Sequence, residues 1–192
     1  MNYYYEYDND YYQKNEQKEE FIKNLTSILY EEKRKNGFME LVILCVGTDK
    51  ITGDCLGPLV GTKLKELLSC YNIFNINIYG TLENNISYSN AKINLNIIEK
   101  MHPNAYIIVV DAALSKRENI GKIFIEKNET VLGKGLNKNK IRVGKLSIKA
   151  VVGENRKIPK YNFYTLKNTS LNTVINLANI VAEGIVEVIK YT

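Results

Sequence analysis

The chain has 192 residues, of which 45% are hydrophobic and 24% are charged, and its formal net charge is +5. This length and balance predict one globular domain with a hydrophobic core and exclude a disordered or fibrous chain. No apolar run reaches the length of a membrane helix, and the acidic, aromatic start is unlike a secretory signal. No nucleic-acid-binding motif accompanies the basic residues. We therefore expect a cytoplasmic protein that binds neither membrane nor nucleic acid.

Metal-binding and disulfide-forming residues are few. The three cysteines, Cys45, Cys55 and Cys70, show no Cys-x-x-Cys spacing, which argues against a disulfide framework and a structural zinc site. The single histidine, His102, excludes a multi-histidine metal centre. It precedes the strand that Asp111 ends, so the rise of an extended chain places these two side chains at opposite edges of a sheet. We expect His102 in a surface loop.

In chain order, the sequence predicts a flexible, acidic and Tyr-rich tail over residues 1–15 and a single α/β domain over 16–192. The domain begins with an amphipathic helix over 16–36, and its core spans 41–192. Within that core the predicted strands cover 41–46, 73–79, 105–110, 121–127 and 145–152, and the predicted helices begin near Leu56, Ala91 and Leu171. Such alternation is typical of a doubly wound, mostly parallel sheet between helix layers.

Acidic side chains follow three of the predicted strands. Asp54 lies in the loop after the first strand, Glu83 follows the second, and Asp111 ends the third. Asp49 is on the same loop as Asp54. Because ligands of open α/β sheets bind beyond the carboxyl ends of the strands, we expect these side chains to converge there.

Asp54 and Asp111 differ in their predicted environments. Asp54 precedes a helix, where backbone amides and the helix dipole favour an ionised carboxylate, whereas burial after an apolar strand raises the pKa of Asp111. Such a pair fits hydrolysis, with one carboxylate activating water and one protonated carboxyl assisting the leaving group. Simpler interpretations stay open: Asp54 as a helix N-cap, Asp111 at the start of a turn, and Glu83 as a solvated surface residue.

Three glycines, Gly47, Gly53 and Gly57, connect the first strand to the following helix. Their spacing fits neither the dinucleotide-binding motif nor the P-loop, and the acidic residues of the loop would repel a phosphate. The sequence therefore predicts no nucleotide site. We expect the glycines, together with Thr48, to let the backbone approach a substrate closely and to supply N–H donors.

The segment from Cys45 to Leu64, which contains Gly-Thr-Asp-Lys-Ile-Thr-Gly-Asp-Cys-Leu-Gly-Pro, strongly resembles the signature of the YyaC family of sporulation proteins, also called spore protease YyaC. Further matches lie at residues 79–83, 109–114, 133–138 and 164–169. The resemblance implies a three-layer α/β/α sandwich of the phosphorylase/hydrolase-like type, shared with the germination protease and the hydrogenase maturation proteases. It also implies a place in the spore or forespore compartment.

The resemblance further implies an atypical aspartic-type peptidase. The two aspartates assigned to the site of the germination protease fall by motif on Asp54 and Asp111. Protein or peptide substrates, small acid-soluble spore proteins among them, are implied, and no organic cofactor is. In the hydrogenase maturation proteases the equivalent acidic positions meet nickel with a histidine, but no histidine stands at a matching place here, so no metal is carried over. Lys145 stands where relatives are expected to have an acidic residue.

Two rival functions stay open at this point. A non-catalytic sporulation protein would keep the fold and bind a peptide or protein partner in the same groove. Metal-dependent hydrolysis would use Asp54, Glu83 and Asp111 as oxygen ligands. A homo-oligomer is compatible with the sequence, which does not define the oligomeric state.

Overall fold

The computed structural model describes residues 3–71, 75–132 and 141–190, with side chains described from residue 15 onward. The helices are α1 (Tyr3–Asn36), α2 (Leu56–Leu68), α3 (Ala91–Met101), α4 (Pro159–Lys167) and α5 (Leu171–Lys190), with the short 3-10 helices η1 (Thr52–Cys55) and η2 (Arg117–Asn119). The strands are β1 (Leu41–Cys45), β2 (Ile76–Tyr79), β3 (Tyr106–Ser115), β4 (Ile123–Glu126), β5 (Thr130–Leu132), β6 (Ile141–Val143) and β7 (Leu146–Glu154).

A five-stranded sheet with the order β2-β1-β3-β7-β4 forms the centre of the fold. Its first four strands are parallel, and β4 pairs antiparallel with β7 at the edge. All five residues of β1 are buried, as expected of a continuous aliphatic strand that is covered on both faces. Helices α1, α2 and α5 cover one face of the sheet, and α3 with the two-stranded β5-β6 sheet covers the other. The prediction of a layered α/β fold with a mostly parallel sheet is confirmed.

Helix α5 is the central core helix on the first face. Its length and apolar composition would suffice to cross a membrane, but its apolar stripe packs into the core against α2 and the sheet. Helix α1 docks on α5 through Phe21, whose ring lies so close to Gly184 that an added Cβ would meet it at 2.6 Å. The burial of α5 is typical of a core helix in a globular domain.

Some element boundaries differ from those predicted. Helix α1 begins at Tyr3, so its bounds include most of the segment for which the sequence predicts a tail, and the flexibility of that segment stays a prediction. Strand β3 continues to Ser115 because β7 pairs with it from Ile108 to Ser115. The predicted strand start at 73 lies outside the described residues, and β2 is described from Ile76.

The prediction that His102 lies in a surface loop is wrong. Its side chain is only 10% exposed, and its Nδ1 lies 2.7 Å from Oε1 of Glu40. Its Nε2 lies 2.7 Å from the hydroxyl of Tyr79, and Asn77 donates to the same oxygen of Glu40 at 2.7 Å. This polar network joins the segment after α3 to β2 and to the residue that precedes β1. Because these groups are partly buried, each depends on its partners to replace hydrogen bonds to water.

Replacing His102 by Leu should lower the free energy of unfolding by about 1–3 kcal/mol, because the carboxylate of Glu40 and the hydroxyl of Tyr79 would lose a partner. Urea unfolding at neutral pH measures the effect. The control is Lys100→Leu on the exposed side of α3, which should change the stability by less than about 0.5 kcal/mol. Equal stability of the two variants would show that the network contributes nothing.

Candidate active site

The candidate site lies where β1 ends and β3 continues. The two strands pair as far as Cys45 and Val110, and the N–H of Val46 donates to the carbonyl of Val110 at 2.8 Å. Beyond this point β3 runs on against β7 alone. Because β1 has β2 on its other side, the gap between β1 and β3 is the switch point of the strand order, where open α/β sheets bind ligands. Asp111 is the first residue of β3 beyond the pairing with β1.

The carboxyl of Asp111 belongs to the sheet face that α3 covers, since side chains alternate along β3 and Val109 packs on that face. Burial, and after it the negative charge of Asp54, raises the pKa of Asp111 to about 7, against lowering contributions from the N–H of Ala112 and from Lys149. The predicted upward direction is confirmed. The interpretation of Asp111 as the start of a turn is wrong, because four more strand residues follow it.

Asp54 belongs to η1, between β1 and α2. Burial raises the pKa of Asp54 to about 6, although the backbone N–H of Thr48 lowers it. The expectation that the backbone dipoles of the helix start keep the pKa of Asp54 low is therefore wrong, because desolvation outweighs them. The N-cap interpretation is wrong as well. Neither η1 nor α2 has a side-chain capping hydrogen bond, and α2 begins after Cys55.

The two carboxyl groups influence each other. Helix η1 contacts β3, and the charge of Asp54 contributes to the raised pKa of Asp111. Two like charges in one partly buried place disfavour full ionisation, so the pair holds one proton at a higher pH than an isolated carboxyl does. The structure thus brings together the two aspartates that the sequence singles out, although they are distant along the chain.

Two glycines allow η1 and α2 to lie against the end of β1. Gly47 has φ +144°, and a Cβ added there would collide with the carbonyl oxygen of Asp54. A Cβ added at Gly57 would collide with the carbonyl oxygen of Val46. Any side chain at either position would push the backbone of η1 and α2 away from β1. These glycines therefore set the position of Asp54.

Gly47 and Thr48, two of the residues whose N–H groups the sequence suggests as donors to a substrate, already use those groups within the fold. The N–H of Gly47 donates to the carbonyl of Ile86 at 2.9 Å, and the N–H of Thr48 donates to the carbonyl of Asp54 at 3.1 Å. The prediction that Gly47 and Thr48 supply free donors is wrong. Their backbone groups instead fix the loop that carries Asp54.

Helix α4 forms a wall beside η1. A Cβ added at Gly53 would lie 2.9 Å from the carbonyl oxygen of Leu166. A Cβ added at Gly153, near the end of β7, would meet the side chain of Thr165 at 2.6 Å. Helix α4 therefore lies across η1 and the carboxyl end of β7, at the same edge of the sheet as the aspartate pair. Its sequence gave no sign of this role, since it has no buried residue and no apolar periodicity.

The other two acidic residues of the predicted site, Asp49 and Glu83, are exposed and are not part of the buried aspartate pair. Asp49 is exposed and accepts a hydrogen bond from Asn85 at 3.1 Å, yet its charge is among the causes, after burial, that raise the pKa of Cys55. Glu83 is exposed. Within the described parts of the chain, no group of three or more His, Cys, Asp or Glu side chains is placed to hold a metal ion. The three-carboxylate metal site is therefore not formed by Asp54, Glu83 and Asp111.

Sequence reasoning missed Lys149. It is the register partner of Asp111 on β7, and its Nζ forms an ion pair with Oε2 of Glu126 at 2.6 Å. Because directly paired residues of neighbouring strands point to the same face, Lys149 places a positive charge beside Asp111. Lys145, which stands where relatives are expected to have an acidic residue, precedes β7. Its backbone N–H donates to the carbonyl of Ile107, well before Asp111 along β3.

Comparisons with known proteins bear on this geometry. Residues 10–184 match the family described as "Protein of unknown function (DUF1256)". The chain is 37% identical over 163 residues to the "Uncharacterized protein YyaC" of Bacillus subtilis (strain 168), an alignment that covers 85% of this chain and 76% of that relative. The fold is similar to the crystal structure of the NiFe hydrogenase maturation protease HycI from Thermococcus kodakarensis KOD1, with a TM-score of 0.55 and 18% identity over 85% of this chain and 99% of that chain. The chain therefore belongs to the DUF1256 family, is similar to YyaC, and has a hydrogenase maturation protease-like fold.

Proposed function

We propose that this chain is a peptidase that hydrolyses peptide bonds with the carboxyl pair Asp54 and Asp111. The observation that carries the proposal is the pair itself. Two carboxyls from separate elements meet at the switch point of the sheet, and burial raises the pKa of both. Perturbed carboxyls of this kind are common at acid–base catalytic sites. Membership of a YyaC-like family and a protease-like fold support it.

We assign the acid role to Asp111, because burial and the charge of Asp54 both raise its pKa. Asp54, whose pKa is raised by burial but lowered by the N–H of Thr48, takes the role of the base. Asp54 takes a proton from a water molecule as its oxygen bonds to the peptide carbon, and Asp111 gives its proton to the carbonyl oxygen. When the tetrahedral intermediate breaks its C–N bond, Asp54 returns a proton to the amine nitrogen, and Asp111 recovers one from the hydroxyl that becomes the new carboxyl.

The resemblance to spore proteases supplies the substrate class and compartment of the proposal. Small acid-soluble spore proteins are the substrates to test, and the spore or forespore cytoplasm is the place of action. The cysteines are compatible with a reducing compartment: Cys45, Cys55 and Cys70 are all free thiols.

A non-catalytic binding protein is the second candidate, and one observation favours it. The N–H of Gly47 donates to Ile86 and the N–H of Thr48 donates to Asp54, so neither offers a hydrogen bond to the oxygen of a tetrahedral intermediate. In that case the groove would hold a peptide or protein partner, and the aspartates would serve binding alone.

Asp54→Asn and Asp111→Asn should each reduce the cleavage of small acid-soluble spore proteins by roughly a thousandfold or more, because each removes one half of the proton exchange. Gel-based time courses with purified protein measure the rate. Glu99→Gln, which neutralises an exposed carboxylate on α3, is the matched control and should cleave at the wild-type rate. Full activity in either Asp variant would contradict the mechanism, and inactivity of the wild type would favour the binding protein.

Asp111→Asn should also raise the free energy of unfolding at about pH 8 by roughly 1–3 kcal/mol and leave it unchanged near pH 4. The folded-state pKa of Asp111 lies above the unfolded value, so the folded chain binds more protons between about pH 4 and pH 7 and loses stability as the pH rises through that window. Urea unfolding at the two pH values measures the difference, with Glu99→Gln as the control. A less stable Asp111→Asn variant at pH 8 would identify the carboxylate as a structural group.

Lys149→Met should move the basic limb of the pH–rate profile to higher pH, because the charge of Lys149 lowers the pKa of Asp111. Cleavage rates across the pH range measure the limb. Lys149→Arg keeps the charge and should keep the limb in place, and Lys122→Met removes an exposed charge near β4 as a control. Loss of activity without movement of the limb would show that Lys149 acts only through packing.

A further inference from the structure

Helix α4 exposes an unusual set of side chains. None of its residues is buried, and Tyr161, Phe163 and Tyr164 are 53%, 50% and 49% exposed. Ile158, just before the helix, is 54% exposed. Exposed apolar groups that are clustered and rimmed by polar residues mark interaction sites in soluble proteins. We call this region the α4 surface: Ile158, Lys160, Tyr161, Phe163, Tyr164 and Lys167.

The α4 surface is presented by a firmly held helix. The side chain of Asn162 accepts a hydrogen bond from the N–H of Arg156 at 2.6 Å and donates to Asn155 at 3.0 Å, which fixes the loop before the helix. On the inner side Leu166 packs against the core and against Gly53. The aromatic rings therefore project from a fixed support, and little conformational entropy is lost when they bind a partner.

The unpaired charges of the α4 surface are all positive. Arg156 pairs with Glu154 at 2.8 Å. Lys157, Lys160 and Lys167 are exposed and pair with no carboxylate in the described part of the chain. Lys160 and Lys167 are two helical turns apart, so they lie on one side of α4. This charge selects an acidic partner, and the rings between the lysines select apolar or aromatic side chains.

We propose that the α4 surface docks acidic polypeptide segments that carry aromatic or apolar side chains, and that these segments belong to the substrate. This inference rests on the proposed function. The inner side of helix α4 contacts η1 at Gly53, the residue before Asp54, so a segment bound on the exposed side of α4 lies on the helix that flanks the aspartate pair.

Binding is measured by fluorescence anisotropy, and the probe is a labelled copolymer of glutamate and tyrosine. The full chain carries Asp111→Asn, so that cleavage of the probe does not interfere with the measurement. In that background the double change Lys160→Glu and Lys167→Glu should weaken binding by roughly tenfold. Tyr161→Ser with Phe163→Ser should weaken it by a similar factor, roughly tenfold, without altering the far-UV circular dichroism.

The matched control is Lys92→Glu with Lys100→Glu, two exposed lysines of α3 that give the same change in net charge. Binding within about twofold of the unmodified background is expected for this control. Equal weakening by the control pair would overturn the proposal, because the effect would then belong to net charge. Tight binding of a single-stranded oligonucleotide that the α4 changes abolish would also overturn it. A third result would overturn it: sedimentation shows that the chain self-associates, and the α4 changes abolish this self-association but leave copolymer binding intact.

The two proposals fail separately. If the wild type cleaves spore proteins and the α4 variants bind the copolymer like the background, only the docking surface is overturned. If the wild type cleaves nothing but binding depends on α4 as described, the docking surface stands as part of a binding protein and the peptidase is overturned. If both hold, the α4 variants should raise KM for spore proteins and leave kcat unchanged.

Discussion

Close packing of the segment after β1 onto the end of that strand is the constraint on which the candidate site depends. Gly47 and Gly57 allow backbone contacts that any Cβ would block, and the contacts bury Asp54 beside Asp111. Burial is the first cause of the raised pKa of both carboxyls. Ionising them at neutral pH costs stability, and the buried core around β1 and α5 has to offset that cost. The site is thus a locally unfavourable arrangement that the rest of the fold maintains.

Much of the fold follows from local sequence, and the remainder depends on distant partners. The aliphatic run of β1 and the apolar stripe of α5 reveal their burial directly, so the alternation of elements and the layered sheet were predictable. The continuation of β3 beyond Val110 was not, because it depends on pairing with β7. Helix α4 was missed because it has no buried residue, so a single inward apolar side chain, Leu166, produces no apolar period. Strands β5 and β6 are too short to show a pattern.

Some features of the candidate site were likewise predictable from local sequence, and others depend on distant parts of the chain. The meeting of Asp54 and Asp111 was predictable because parallel strands deliver their carboxyl ends to one edge. The electrostatics of Asp54 were not, because a local argument counts the amides of a helix start and cannot count the atoms of other elements that exclude water. The pairing of Lys149 with Asp111 needs the register of two strands. His102 was misplaced for a similar reason: its partners, Glu40 and Tyr79, come from other elements.

The electrostatics of the pair also indicate which small species it favours. A metal ion binds carboxylates only after they release their protons, so a raised pKa makes metal binding more costly. The positive charge of Lys149 beside Asp111 repels a cation, and His102 is engaged with Glu40 and Tyr79. Binding a proton is favoured instead, because protonation removes the desolvation cost of a buried charge and the repulsion between the two carboxylates. Burial of the two aspartates and the charge of Lys149 therefore act in the same direction, because burial favours the protonated acids and Lys149 disfavours a bound cation.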